Sequence, residues 1–158
     1  MEDSSLQNLT LAAWTVKIWT DYKRGLPLNG QNAAIAAAMQ EHKEWWADWE
    51  NLARLGPAYE QEVTSRLVHI HSDATIQLQI ENGQPKEVRK LHDALIEKGF
   101  TQYEAIHTLV LALVDESAYA RENGEPFDTA RYIERMHRYV QEALSRPNLK
   151  RQSKSKLY

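Results

Sequence analysis

Three histidines lie inside apolar helical patterns: His42 in EHKEWW, His71 in VHIHSDA and His107 in YEAIHTLV. A histidine where leucine is expected is either buried with a hydrogen-bonding partner or meets other metal ligands in the core. Three neutral imidazoles are sufficient to bind Zn²⁺ or another divalent metal with an open fourth position. The sequence therefore predicts either three core histidines, with no cofactor, or a three-histidine metal site.

Carboxylates accompany these histidines along the chain. Glu41, Asp73 and Glu104 could bind a metal directly or orient one of its histidine ligands. The residues by themselves predict no catalytic residue.

The remaining histidines are predicted to be structural. His92 and His137 lie at the edges of apolar stripes, where partly buried histidines are common. His69 precedes His71 by two residues, so on a helix it points in another direction. It shares a polar face with Asp73, and a solvated side chain is expected there.

The chain has five tryptophans, of which Trp45, Trp46 and Trp49 are clustered. On a helix Trp45 and Trp49 are neighbours, whereas Trp46 is rotated from Trp45 by about 100°. Five indole rings do not easily face one core, so the sequence predicts that Trp45 or Trp49 is exposed. An exposed tryptophan is a candidate anchor for a protein partner. The alternative is partial burial against a neighbouring helix.

Several kinds of active site are excluded or unsupported. The chain has no cysteine, which excludes disulfides, thiolate metal ligands and thiol nucleophiles. There is no glycine-rich phosphate-binding loop, and the adjacent carboxylates Asp115 and Glu116 do not face each other on a helix. The sequence therefore favours a protein that is not an enzyme.

Composition and length are typical of one globular domain, predicted over residues 1–145. The chain has 158 residues, of which 42% are hydrophobic and 26% charged. No apolar run approaches the roughly 18 to 20 residues that a membrane span needs. The N-terminal sequence MEDSSLQN is acidic and unlike an export signal, so a cytoplasmic location with no membrane contact is predicted.

Residues 146–158 form a basic segment, RPNLKRQSKSKLY, with five basic and no acidic side chains. The rest of the chain then carries a net charge of about minus eight. Such a segment is typical of a disordered C-terminal tail. The acidic body argues against nucleic acid binding, for which this tail is the only candidate contact.

The hydrophobic spacing predicts an all-α fold, a compact bundle of six helices. The predicted helices cover about 5–23, 29–49 with a bend near His42, 58–81, 86–98, 101–122 and 129–144. Gly25, Pro57 and Gly99 mark helix boundaries. Thr101 and Glu104 form a predicted capping box.

Four segments, in this order, resemble a known family: EHKEWW after a Gly-Leu-Pro-Leu turn, VHIHSDATIQLQIENGQPKEVR, KGFTQYEAIHTLV and YARENGEPFDTARYIERM. They are similar to the small bacterial proteins grouped as domain of unknown function 1841. The resemblance runs from about Trp14 to Met136. That family has no established activity.

The resemblance implies three histidine pairs spaced i and i+4, the last in the form H-E-x-x-H. In this chain one member of each pair is replaced, and the replacing residues are Trp46, Leu67 and Tyr103. A complete pair on one helical face would chelate zinc, and the glutamate of H-E-x-x-H is positioned as general base. The resemblance thus implies Glu104 as the catalytic base in the metal-binding alternative. Because every pair is half missing, the sequence favours a protein-interaction or regulatory module, binding a protein partner or itself. The alternative is a metal-binding, degenerate metallohydrolase-like relative.

Overall fold

The computed structural model describes residues 10–146, and this part of the chain contains seven α-helices and no strand. The helices are α1 (Leu11–Lys23), α2 (Gly30–Glu41), α3 (Trp46–Leu55), α4 (Pro57–Asn82), α5 (Lys86–Glu97), α6 (Gln102–Asn123) and α7 (Thr129–Leu144), with a short 3-10 helix (Lys43–Trp45) between α2 and α3. The all-α prediction is confirmed, with one helix more than expected. The chain divides into two compact units, Met1–Thr75 and Ile76–Tyr158. The prediction of one domain over 1–145 stays a prediction.

The extra helix arises because the predicted helix over 29–49 is broken at His42. The backbone of His42 has φ −121° and ψ 62°, outside the helical region. The 3-10 helix follows, and α3 then begins at Trp46. Across the break, the Trp46 indole Nε1 donates a 2.9 Å hydrogen bond to the carbonyl of Met39. The bend expected near His42 is therefore a complete interruption.

The helix ends follow the local signals in the sequence. The Thr101 hydroxyl accepts a hydrogen bond from the Glu104 N–H, and the Glu104 carboxylate accepts from the Thr101 N–H, which confirms the capping box. Asp128 caps α7 by accepting from the N–H of Arg131. Between α3 and α4, Gly56 has a φ of 62°, a conformation that favours glycine.

The first unit contains α1, α2, α3 and α4 as far as Thr75, and α1 packs against both α2 and α3. Its core is formed by large buried side chains: Ile18, Trp19, Ile35, Met39, Trp49, Leu52, Val63, Leu67 and Ile70. Each such apolar side chain stabilises the fold by roughly 1.5 to 3 kcal/mol when it is buried. This packing fixes the directions of the polar side chains carried by α2 and α4.

The second unit contains the end of α4 together with α5, α6 and α7, which pack against one another. Its core is formed by Ile76, Val88, Leu91, Leu95, Leu109, Val110, Tyr132, Met136 and Val140. The buried Tyr132 hydroxyl donates a 2.6 Å hydrogen bond to Gln79 Oε1. This bond gives a polar group inside the core the partner it needs.

A charged cluster joins α6 to α7 within the second unit. Glu116 is fully buried and accepts hydrogen bonds from the Arg131 guanidinium at 2.7 and 3.0 Å and from Arg135 at 3.2 Å. The backbone N–H of Asp128 adds a fourth bond at 3.1 Å. The Arg131 hydrogen bonds lower the pKa of Glu116 to about 2 despite its burial. Glu116 is therefore a structural carboxylate that stays ionised.

The basic segment at 146–158 lies, apart from Arg146, outside the described residues, as do residues 1–9. Between residues 10 and 146, none of the helices combines the length and the apolar character that crossing a bilayer requires.

Candidate metal centre

His42 leaves α2 at the helix break and has both ring nitrogens close to carboxylates. Its Nδ1 is 3.0 Å from Glu44 Oε1, and its Nε2 is 3.6 Å from Asp73 Oδ2. Ionised carboxylates only accept, so a neutral His42 ring that donates from Nδ1 to Glu44 directs its Nε2 lone pair to the side of Asp73. A carboxylate that holds the far nitrogen in this way is typical of a histidine that binds a metal.

The helix α4 contributes the neighbouring pair His69 and Asp73, which are four residues apart and so lie on the same face. His69 Nε2 is 3.1 Å from Asp73 Oδ2. His42, His69 and Asp73 are only 3%, 5% and 8% exposed. One ligand atom from each residue lies within 4.8 Å of the others. We call these three residues the metal-ligand cluster.

The separations in the metal-ligand cluster match those of ligand atoms around one metal ion. Two donors at about 2.1 Å from a tetrahedral Zn²⁺ lie about 3.4 Å apart. The two contacts of Asp73 Oδ2, at 3.1 and 3.6 Å, fall on either side of this separation. Imidazole nitrogens with a carboxylate oxygen are also a donor set that suits zinc and other first-row divalent metals.

The electrostatics of the cluster favour a cation beside Asp73. Burial by itself lowers the pKa of His42, but hydrogen bonds with Asp73 and Glu44 outweigh burial and raise this pKa above its ordinary value. The carboxylates therefore make positive charge favourable at a position that is almost closed to water. A proton or a divalent metal ion can supply that charge.

His71 lies elsewhere in the first unit. The Thr15 hydroxyl donates to the Leu11 carbonyl at 2.7 Å, so it accepts from His71 Nε2–H at 2.8 Å. The His71 ring also packs against Trp14, with centroids 5.3 Å apart. Burial lowers the pKa of His71 to about 4. This histidine is neutral and has its Nε2 occupied by a proton and a hydroxyl partner.

Comparison with known proteins adds the family of the chain but no activity. The sequence profile of domain of unknown function 1841 (DUF1841) matches residues 10–138. The chain belongs to the DUF1841 family. This match confirms the family resemblance inferred from the sequence. No curated protein and no solved structure matches the chain.

The resemblance implied a histidine at the position of Trp46, four residues after His42. Residues 42 and 46 would share one face of a continuous helix, but here the 3-10 helix separates them. Trp46 instead packs against Trp19, with ring centroids 5.5 Å apart. Leu67, at a second position where the resemblance implied a histidine, is buried in the core of the first unit.

In the second unit the DUF1841 chain buries His107 on α6. Its ring makes an edge contact with Tyr103, with centroids 3.8 Å apart and planes 70° apart. Tyr103, at the third position where the resemblance implied a histidine, packs on His107. Glu104, the alternative catalytic base, caps the start of α6. The predictions that His107 binds a metal and that Glu104 is catalytic stay predictions.

The sequence interpretation missed His69, which was expected to be solvated and is instead buried beside Asp73. The expectation was wrong because α4 buries two stripes of side chains, whereas one was assumed. The available signal was the spacing of His69 and Asp73, four residues apart on a predicted helix. This is the same spacing as in a histidine chelating pair, with a carboxylate in the second position.

The two tryptophans proposed as partner anchors differ in burial. Trp49 is fully buried in the core of the first unit, so it is not the exposed tryptophan of the pair. Its indole fills space between helices rather than reaching solvent. Trp45 ends the 3-10 helix and is half-buried. Its ring stacks on His42, with centroids 4.2 Å apart and planes 10° apart.

Proposed function

We propose that this chain binds a divalent first-row transition metal through His42, His69 and Asp73. The observation that carries the proposal is the convergence of these three buried side chains, whose ligand atoms lie within 4.8 Å of one another. Burying an ionised carboxylate is costly unless a cation compensates it. A metal ion bound to Asp73 would do so and would also bind the imidazole of His42.

The sequence suggested His71 as a ligand, and the proposal replaces it with His69. Nε2 of His71 is bonded to Thr15, whereas Nε2 of His69 faces Asp73. His107 remains a ligand predicted from the sequence, and it is included in the variant series below. Zinc is the first candidate ion, because imidazole and carboxylate donors bind it well and its affinity exceeds that of manganese or iron.

Metal content and affinity test the proposal directly. The untagged full chain is purified without chelator, analysed by elemental mass spectrometry, and titrated with Zn²⁺, Mn²⁺, Fe²⁺, Co²⁺ and Ni²⁺. We expect the wild type to hold about one equivalent of metal. In Asp73→Asn and in His69→Ala the affinity for the metal should fall by about tenfold or more. His137→Ala, which removes an exposed histidine of α7, is the matched control and should bind as the wild type does.

Two results would contradict the metal proposal. One is a wild-type chain that takes up none of the five ions. The other is a bound metal that Asp73→Asn and His69→Ala retain with unchanged affinity. In the first case the cluster is a set of core histidines around a carboxylate, with a proton as the compensating cation. The same titrations on His71→Ala and His107→Ala test the ligands predicted from the sequence.

A second candidate function is self-association through Trp45, which the partial exposure of this ring favours. Aromatic side chains that are half-buried in the monomer are frequent anchors at protein interfaces. Light scattering over a range of concentrations should then show a dimer that Trp45→Ala weakens. Leu55→Ala, which shortens an exposed apolar side chain of α3, is the control. A monomer at every concentration would leave only the metal-binding proposal.

A further inference from the structure

Trp45 contacts both imidazole rings of the metal-ligand cluster. Its ring is nearly parallel to His42, with centroids 4.2 Å apart, and meets His69 edge-on, with centroids 4.9 Å apart. The two histidines are buried, whereas Trp45 is half-buried. The indole therefore lies with one part against the candidate ligands and another part towards solvent.

An ion pair of the first unit holds an arginine over the same indole. The Arg66 guanidinium is 6.0 Å from the centroid of the Trp45 ring, within the range of a cation–π contact. Arg66 Nη1 donates a 2.7 Å hydrogen bond to Asp48 Oδ2. The other oxygen of Asp48 accepts a 2.8 Å bond from the Tyr59 hydroxyl. Asp48 is thus fixed on both oxygens and in turn fixes the guanidinium.

Trp45 lies in the short 3-10 helix between α2 and α3. Trp45 belongs to a 3-10 helix of three residues, and such short helices have poorer hydrogen bonds than α-helices. The indole of the next residue, Trp46, is anchored to the Met39 carbonyl, whereas Trp45 has the stacking and cation–π contacts described above. A change of side-chain rotamer at Trp45 would uncover His42 without unfolding either flanking α-helix.

We propose that Trp45 is an aromatic cover over the metal-ligand cluster, and that the Asp48–Arg66 pair holds this cover closed. Trp45 and Arg66 would then set the rates at which the metal enters and leaves. Trp45 is a positioning residue here, since the metal-binding atoms belong to other side chains. The inference rests on the proposed function and adds to it a control of metal exchange.

Metal release measured by stopped flow tests the cover. The zinc-loaded full chain is mixed with a large excess of a chromogenic chelator, and the release rate is followed. We expect release to be at least about tenfold faster in Trp45→Ala and severalfold faster in Arg66→Met. Trp45→Phe keeps an aromatic ring in place and should stay within about threefold of the wild type. Arg54→Met is the control, because it removes an exposed arginine of α3 whose hydrogen bond goes to Asn51, and its release rate should equal that of the wild type.

The equilibrium affinity for zinc is measured on the same samples and separates a cover from a packing residue. Loss of a cover speeds entry and exit together, so affinity changes much less than the release rate. Equal release rates in the wild type, Trp45→Ala and Arg66→Met would overturn the cover while leaving metal binding intact. A wild type that takes up no zinc would overturn both proposals. If Trp45→Ala does not fold, Arg66→Met and Trp45→Phe decide the question.

Discussion

Two buried carboxylates, one in each unit, are neutralised in different ways. Glu116 in the second unit is bonded to Arg131 and Arg135, whose charges are permanent. Asp73 in the first unit faces the imidazoles of His42 and His69, which carry charge only when protonated. A carboxylate between arginines is complete as a structural element. A carboxylate between imidazoles offers an arrangement of ligands that a metal ion can complete.

The buried histidines His71 and His42 also differ in the polar partners of their rings. His71 donates to the neutral hydroxyl of Thr15, and its burial lowers its pKa to about 4. For His42, hydrogen bonds with two carboxylates outweigh burial, and its pKa is raised. Burial alone therefore does not distinguish a structural histidine from a candidate ligand. The polar partners of the ring do.

The largest expected effect is the loss of the arginine that makes most bonds to Glu116. Arg131→Met leaves a buried carboxylate with part of its compensation removed, which is among the most destabilising changes known for core ion pairs. We expect Tm to fall on the order of 10 °C in thermal denaturation. Arg138→Met removes an exposed arginine of the same helix and should leave Tm within a few degrees. Equal Tm values for the two variants would remove the structural role assigned to Glu116.

Next in size is the response of stability to metal. A ligand at a hundred times its Kd stabilises the folded state by about 2.7 kcal/mol, which corresponds to a rise in Tm of about 5 to 10 °C for a chain of this size. We expect zinc to raise the Tm of the wild type by this amount and to leave Asp73→Asn unchanged. A zinc response that persists in Asp73→Asn would break the contrast between the two carboxylates.

A smaller effect is expected in the dependence of stability on acid pH. The pKa of Glu116 is lowered from its ordinary 4.5 to about 2, chiefly by Arg131. Its contribution to stability is therefore complete above about pH 4.5 and is lost as the pH falls towards 2. Glu116→Gln lacks that contribution throughout, so the Tm difference from the wild type should shrink between pH 5 and 2. A difference that stays constant over this range would contradict the assigned pKa.

The smallest effect concerns His71, a histidine of α4 that is not part of the metal-ligand cluster. Thr15→Val keeps the shape of a buried side chain but removes the hydroxyl that accepts from His71 Nε2–H. One lost hydrogen bond of this kind costs about 1 kcal/mol, or a few degrees in Tm. Zinc affinity should be unchanged, since the proposed site does not include His71. A large loss of zinc affinity in Thr15→Val would instead indicate that His71 contributes to the metal site.

Much of the fold could be predicted because local chemistry decides where the helices begin and end. Thr101 with Glu104 formed the predicted capping box, and Pro57 began α4 as expected. The break at His42 was predicted only as a bend. Whether a helix bends or stops there depends on tertiary contacts such as that of Trp46 with Met39, which a local pattern does not contain.

The candidate site was only partly predictable from the sequence. His42 was singled out because it interrupts an apolar stripe, and it is buried as that position implies. His69 was expected to be solvated on a polar face shared with Asp73, because a period of 3.6 residues was used to select a single buried stripe. In the structure α4 buries Ile70 and Ala74 on one stripe and His69, Asp73 and Ile76 on another. Which polar stripe is buried depends on packing around the whole helix.

The interruption between α2 and α3 also limits how the length of this chain can change. Each residue added to or removed from a helix turns everything beyond it by about 100°. The four positions 42–45 set the rotation of α3 relative to α2, and α3 carries both Asp48 and the core residue Trp49. A one-residue insertion there would turn Trp49 out of the core and Asp48 away from Arg66. The fold should therefore tolerate changes of residue type in this turn better than any change in the number of residues.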